Sequence, residues 1–410
     1  MLPDDRNQNR GPRWKGWAVS LACFGLAVAM DCDPSGGNRA GSVRPLVFGA
    51  AMVYGNVPSG LVAVGDLNGD GKADIAISSV SELSIIMNRG DGTFADPVTY
   101  VAPRQPTALA IGDLNGDGVP DLALGDSGTP APASEASPGQ LGGVTVFMND
   151  GSGLFASAYY PASAKPASIA LIDLDGDSGP DMVVGNQNLI PYVLANNGDG
   201  TFAAAQMITG ASPDASSWSA LGTDVVVGDF NGDGFADLVL ASNGSDVFIL
   251  PGSRDGTFTS SFSYTIGGAY ISGVTVGDAN GDGKPDLAVV SGPVEGPANS
   301  LKDGTVSVLM NNGDGTLASP VAYDCTSPAA IALLDLDGNG EPDLIIGGDT
   351  SAGGSISVRL NDGTGRFTAA QSLWTGALTA FAPGDLDGDG MTDLVVSGRD
   401  GLSILLNRSH

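Results

Sequence analysis

Residues 66–74 read Asp66-Leu67-Asn68-Gly69-Asp70-Gly71-Lys72-Ala73-Asp74, and this stretch decides the fold. Its pattern, D-x-[DN]-G-[DN]-x-x-x-D, occurs seven times. It returns at Asp113 (DLNGDGVPD), Asp173 (DLDGDSGPD), Asp229 (DFNGDGFAD), Asp278 (DANGDGKPD), Asp335 (DLDGNGEPD) and Asp385 (DLDGDGMTD). The steps between starts are 47, 60, 56, 49, 57 and 50 residues. Self-similarity at such a period marks a repeat architecture, and each step has room for one four-stranded sheet.

The flanks repeat as well. An apolar run precedes each pattern, such as Leu61-Val62-Ala63-Val64 or Val225-Val226-Val227. Another follows it, such as Asp74-Ile75-Ala76-Ile77 or Asp393-Leu394-Val395-Val396. A third run (Ser84-Ile85-Ile86-Met87, Val144-Thr145-Val146-Phe147, Val306-Ser307-Val308-Leu309) leads into a turn, Asn88 to Phe94, echoed by Asn197 to Phe202 and Asn312 to Leu317. Short runs bounded by Gly, Asn and Asp are strands, and Gly and Asn are expected to supply the positive-φ positions of the turn. A weaker fourth strand follows each turn.

The chain ends fix the closure. The seventh repeat stops at Ser403-Ile404-Leu405-Leu406-Asn407, after its third strand. The missing fourth stands at the other end, where Phe48 to Tyr54 has the same six-residue step as Phe94 to Tyr100, Phe258 to Tyr264 and Leu317 to Tyr323. A closed ring hides the edges that an open stack exposes. The expected fold is therefore all-β: a seven-bladed β-propeller of four-stranded antiparallel blades, closed by an N-terminal strand (residues 46–55) in the last blade. The propeller is assigned to residues 46–410, after a linker at 30–45.

Oxygen donors at positions 1, 3, 5 and 9 of the pattern, with a backbone carbonyl at position 7, suit a hard cation that takes six to eight oxygens. The expected ligands are Asp66, Asn68, Asp70, Lys72 and Asp74; Asp113, Asn115, Asp117, Val119 and Asp121; Asp173, Asp175, Asp177, Gly179 and Asp181. They continue with Asp229, Asn231, Asp233, Phe235 and Asp237; Asp278, Asn280, Asp282, Lys284 and Asp286; Asp335, Asp337, Asn339, Glu341 and Asp343; and Asp385, Asp387, Asp389, Met391 and Asp393. Calcium fits better than magnesium, which demands stricter octahedra, and the lack of His and Cys argues against zinc or copper. Up to seven ions are expected. The third loop departs from the pattern, with Ser178 where the sharp turn wants Gly. An EF-hand would need Glu at position 12. Position 12 here is Ile77, Leu124, Val184, Leu240, Val289, Ile346 or Val396, so that reading fails.

At this point the sequence resembles the FG-GAP/VCBS repeat family, which forms the propeller of integrin α-subunits and of many bacterial exported proteins. The resemblance implies this fold and calcium in the loops. It leaves function open, because such repeats serve adhesion, carbohydrate binding and scaffolding alike.

Composition agrees. The chain has 410 residues, 62 of them Gly, with 46 acidic against 17 basic side chains and a formal charge of −29. Such a surface repels nucleic acid and anionic membranes. Seven divalent cations carry +14 and would bring the total from −29 to −15. Arg6, Arg10, Arg13 and Lys15 precede an apolar stretch, Gly16 to Met30, that ends near the small-residue motif Ala27-Val28-Ala29. Residues 1–29 are read as a secretory signal, and the product as extracellular or periplasmic. No later segment reaches about 18 apolar residues, so no membrane span is expected. A lipid anchor at Cys32 and a Cys32–Cys325 disulfide are alternatives.

A binding or structural role is expected in place of catalysis. The one His is His410, which leaves no base for a Ser or Cys nucleophile. The loops on the face opposite the Asp patterns (Asp126–Gly143, Ser291–Gly304, Gly347–Ser355) are the expected recognition elements, with Trp218 and Trp374 as candidate sugar-stacking residues. A monomer that binds a glycan or protein is the leading reading. A purely structural surface protein and a polysaccharide-lyase-like enzyme are the alternatives.

Overall fold

The computed structural model describes residues 19–21, 26–28, 45–55, 57–103, 105–128, 142–162, 165–177, 179–186, 189–208, 221–242, 244–259, 261–268, 270–292, 304–325, 328–350, 353–376 and 378–409. Seven four-stranded antiparallel sheets form a ring, and no helix is found among the described residues. Blade 1 runs Leu61–Gly65, Asp74–Ser79, Glu82–Ile86 and Val98–Val101, each strand paired with the next. Blades 2 to 6 repeat this order, beginning at Pro106, Pro166, Leu221, Ile271 and Pro328.

Blade 7 is completed by both chain ends. Its strands Leu378–Gly384, Asp393–Gly398 and Gly401–Leu405 take Met52–Tyr54 as the fourth. The register is Met52 to Ile404, Val53 to Ser403 and Tyr54 to Leu402. In other blades an isolated bridge spans the outer turn, as between Asn88 and Phe94 or Asn196 and Phe202. In blade 7 the corresponding pair is Asn407 and Phe48, one from each end. The expected circular offset is what closes the ring.

Burial follows position in the blade. The second strand is covered on both faces, since blades stack face to face, and Asp286–Ser291 is buried throughout. Apolar β-branched runs with no alternation are what a doubly covered strand requires. The outermost strand is largely exposed, as at Val98–Val101. Between blades, outer-strand tyrosines lie edge-on to the turn phenylalanine of the next blade. Tyr54–Phe94, Tyr100–Phe155, Tyr160–Phe202 and Tyr323–Phe367 have ring centroids 5.8, 5.5, 5.4 and 5.8 Å apart. Such T-shaped pairs add about 0.5–1.5 kcal/mol beyond burial.

A separate hairpin, Val19–Leu21 paired with Leu26–Val28, lies against innermost strands of the ring. It falls within the segment read as an export signal. The stretch Gly347–Ser355 is not an irregular loop: Asp343–Thr350 and Gly353–Arg359 stay paired out to Thr350 and Gly353, because small residues let the ladder run to its tip. Trp374 is half-buried and packs against the core. Trp218 and Cys32 lie outside the described residues, as do most of the loops after Asp126 and Ser291.

Candidate metal centres on one face of the ring

Each Asp pattern forms the connection from first to second strand of its blade, so all seven open on the same face. The backbone needs Gly at positions 4 and 6: in the first loop Gly69 and Gly71 have φ of 72° and 82°. Only Gly adopts that region without strain. The chain then curls around the side chain at position 1. Asp66 accepts the N–H of Asp70 on Oδ1 at 3.1 Å and that of Gly71 on Oδ2 at 2.8 Å. Asn68 Oδ1 also accepts from Asp70 N–H at 2.9 Å, and Asp70 Oδ1 from Lys72 N–H at 3.0 Å. In the third loop Gly176 N–H donates to Asp173 Oδ1 at 2.7 Å, while Ser178 lies outside the described residues.

The Asp at position 9 is the anchor. Asp74 is fully buried and accepts Leu67 N–H on Oδ2 at 3.0 Å and Asn88 N–H on Oδ1 at 2.7 Å. Asp121, Asp181, Asp237, Asp286, Asp343 and Asp393 do the same, each linking position 2 of its own loop to the outer turn of its own blade. Burial pushes the Asp74 carboxyl up to about 6, with the charges of Asp70 and Asp66 adding to the rise and the two amides opposing it. Burial likewise raises Asp121, Asp181, Asp237, Asp286 and Asp393 to about 6, and Asp343 to about 7. Crowded carboxylates of this kind become stable anions only beside a positive charge.

Three loops bring three carboxylates together. Oxygens of Asp173, Asp175 and Asp181, of Asp335, Asp337 and Asp343, and of Asp385, Asp387 and Asp393 lie within 4.8 Å of one another in each group. The other four loops carry Asn68, Asn115, Asn231 or Asn280 at position 3, a neutral oxygen donor in place of the third carboxylate. In the seventh loop Asp387 Oδ1 is buried and accepts no hydrogen bond. A buried carboxylate oxygen without a donor is costly unless a cation completes it. The donors are all oxygen, so the residues present fit a hard divalent ion.

Sequence reasoning missed the role of the turn asparagines. They do not adopt positive φ; among described residues outside Gly only Gln105 does, and the turn's left-handed positions are Gly90 and Gly92. Asn88 is instead buried, and its amide Nδ2 donates to Ala73 O at 2.9 Å and to Leu386 O of blade 7 at 2.7 Å. Asn149 reaches Leu67 O of blade 1, Asn196 reaches Leu114 O of blade 2, Asn361 reaches Ala279 O of blade 5, and Asn407 reaches Leu336 O of blade 6, at 2.6–2.8 Å. Each asparagine thus joins its own loop to position 2 of the loop before it. The recurrence of Asn before the Gly-rich turns, absent in blade 4, was the available signal.

Two joints differ. Blade 4 has Gly252 in this place, and a Cβ there would collide with Ala236 O. In blade 5 the Asn311 Nδ2 group finds no acceptor, and Phe230 O is taken by Gly315 N–H at 3.1 Å.

Comparison with known proteins agrees with this architecture. A family model described as FG-GAP-like repeat matches residues 62–124, 173–240, 229–289 and 335–396, and one described as FG-GAP repeat matches 106–147. No curated protein is matched. Among solved structures, an Agrocybe aegerita lectin that recognises non-reducing terminal N-acetylglucosamine is similar at 21% identity, over 84% of this chain and 87% of that one, with a TM-score of 0.55. BBS1N, solved in complex with ARL6DN, is similar at 14% identity, over 88% and 97%, with a TM-score of 0.56. Likeness at these identities is likeness of fold.

Proposed function

We propose that this chain, which belongs to the FG-GAP-like repeat family, is an exported calcium-binding propeller that serves as a ligand-binding module. The convergence of Asp385, Asp387 and Asp393 on one point, with Asp387 Oδ1 buried and undonated, is the observation that carries the metal half of this reading. The remaining loops present the same backbone and the same anchor Asp, so calcium is assigned to each, with the third the most altered.

The ligand half rests on the scaffold. A rigid ring with loops on two faces is a platform for recognition, and the similar lectin uses this fold to recognise a terminal sugar. A glycan is therefore the first ligand to try, and a protein the second. No catalytic role is assigned, since the Asp side chains of the loops are already engaged by backbone amides and the one His is terminal. The basic residues Arg6, Arg10, Arg13 and Lys15 ahead of the apolar stretch Gly16 to Met30 support export, and with it a place outside the cytoplasm.

Metal content and melting test the first half. Dialysed protein should take up several calcium ions per chain, and chelation should lower the Tm by many degrees, restored by calcium and not by magnesium. A melt indifferent to chelator would end the metal reading. A glycan array probed in calcium, with glycans ending in N-acetylglucosamine included, tests the second half. Uronide release from acidic polysaccharides would instead make it an enzyme.

A further inference from the structure

The last described residues of the chain hold two structures at once. The backbone N–H of Asn407 donates to Asp393 Oδ1 at 2.6 Å, and that of Arg408 donates to Val47 O at 2.6 Å. Ser409 Oγ accepts from Val47 N–H at 2.9 Å. Three successive residues therefore clamp the N-terminal strand to the anchor Asp of the seventh loop.

The side chain of Arg408 then turns onto that loop. Its Nη1 contacts Asp387 Oδ2 and lies 3.3 Å from Asp389 Oδ2, the carboxylates at positions 3 and 5. Among the described residues the other ion pairs at these loops are Lys72–Asp70 and Lys284–Asp282, each formed within one loop between positions 7 and 5. Arg408 is different: it comes from outside the loop, from the segment that seals the ring. The loop it meets carries Asp at four pattern positions (Asp385, Asp387, Asp389 and Asp393), where the first loop has three.

The geometry points to Arg408 as a built-in counter-ion of the seventh loop, one that keeps the joint between the chain ends closed when calcium is absent and opposes calcium when it arrives. The inference rests on the calcium reading above. A guanidinium and a divalent ion draw on the same two carboxylates, and two cations so close repel one another. By linkage, the contribution of Arg408 to stability is largest without metal, and its charge weakens calcium at this loop alone. Among the described residues no other loop has such an arginine, and the first and fifth have only the exposed Lys72–Asp70 and Lys284–Asp282 pairs within the loop itself.

The test compares the full chain with Arg408→Ala and Arg408→Gln, the latter keeping length and donors without charge. Melts are recorded in chelator and in saturating calcium, with calorimetric calcium titration. Both variants should lose about 2 °C or more in chelator and clearly less in calcium. One site should tighten roughly threefold as the competing charge goes. Equal losses in the two conditions with unchanged affinities, or no loss in chelator, would overturn the proposal, leaving Arg408 a plain clasp or a bystander. A wild-type chain that takes up no calcium would instead overturn the reading beneath it, and the two failures are told apart by that control.

Discussion

The side-chain amide of Asn88 in blade 1 donates to the carbonyl oxygen of Leu386 in blade 7 at 2.7 Å, across 298 positions of sequence. The same amide holds Ala73 O, while the Asn88 backbone N–H is held by Asp74. One buried side chain therefore ties together an outer turn, its own Asp-rich loop and the loop of the neighbouring blade.

Replacing Asn88 by Ala leaves two buried carbonyls without donors. Each orphaned group costs about 1–3 kcal/mol, so Asn88→Ala should destabilise by roughly 3 kcal/mol in chemical denaturation. Asn311→Ala should cost clearly less, since the Asn311 amide nitrogen has no acceptor to lose. Equal costs would show that these bonds contribute little.

The seven anchor carboxylates predict a pH dependence. Their folded pKa values, about 6 for six of them and about 7 for Asp343, lie above the ordinary 3.8. The folded state thus holds protons that the unfolded state releases. Their stabilising contribution is full below pH 4 and is lost as pH rises through 6 to 7 in the absence of metal. Calcium needs the anion, so its stabilising increment should grow over the same window. The gap between Tm in calcium and Tm in chelator should widen from pH 5 to pH 8; a constant gap would refute the assignment.

Closure is tested by truncation. A chain starting at residue 30 keeps Met52–Tyr54 and should melt as the full chain does, since the seventh blade is complete without the preceding hairpin. A chain starting at residue 57 lacks that strand and also Phe48, the partner of Asn407. It should lose many degrees and tend to associate through the uncovered edge of Gly401–Leu405. Circular dichroism melts and light scattering read both effects.

The aromatic contacts predict a graded series. Phe202 is buried beneath the edge of Tyr160, and Phe202→Ala should cost about 3 kcal/mol. Tyr160→Phe keeps the ring pair and should cost well under 1 kcal/mol. Tyr100→Phe should cost more than Tyr160→Phe, because Tyr100 also donates its hydroxyl to Gly153 O at 3.0 Å.

Much of this was legible in residue order, for a physical reason. A nine-residue loop that must curl around one Asp needs Gly at fixed places, so the repeat spelled itself out in Gly69, Gly71 and their counterparts. The displaced fourth strand was visible because Phe48 and Tyr54 keep the spacing of Phe94 and Tyr100. The asparagine ties were not legible. Asn88 beside a Gly-rich turn reads as a turn former, and its true acceptor, Leu386 O, is a backbone atom of another blade that no local pattern encodes. The charge of Arg408 on Asp387 and Asp389 escaped because no local spacing links a turn residue to a loop 21 and 19 positions earlier; the pairing of two strands of blade 7 brings them together.

Gly252 gives the circle an uneven strength. Near the chain's own termini Asn88 ties blade 1 to blade 7 and Ser409 holds Val47, whereas the asparagine tie to the preceding loop is missing at both borders of blade 4. The side-chain bonds there are those of Val225 N–H to Ser168 Oγ and of Leu317 N–H to the Tyr264 hydroxyl. Under heat or pulling, the breach should therefore begin beside blade 4, in mid-chain, and amide exchange should quicken there first. A ring sealed most firmly where its ends meet fails as a hoop fails at a thin spot, away from the weld.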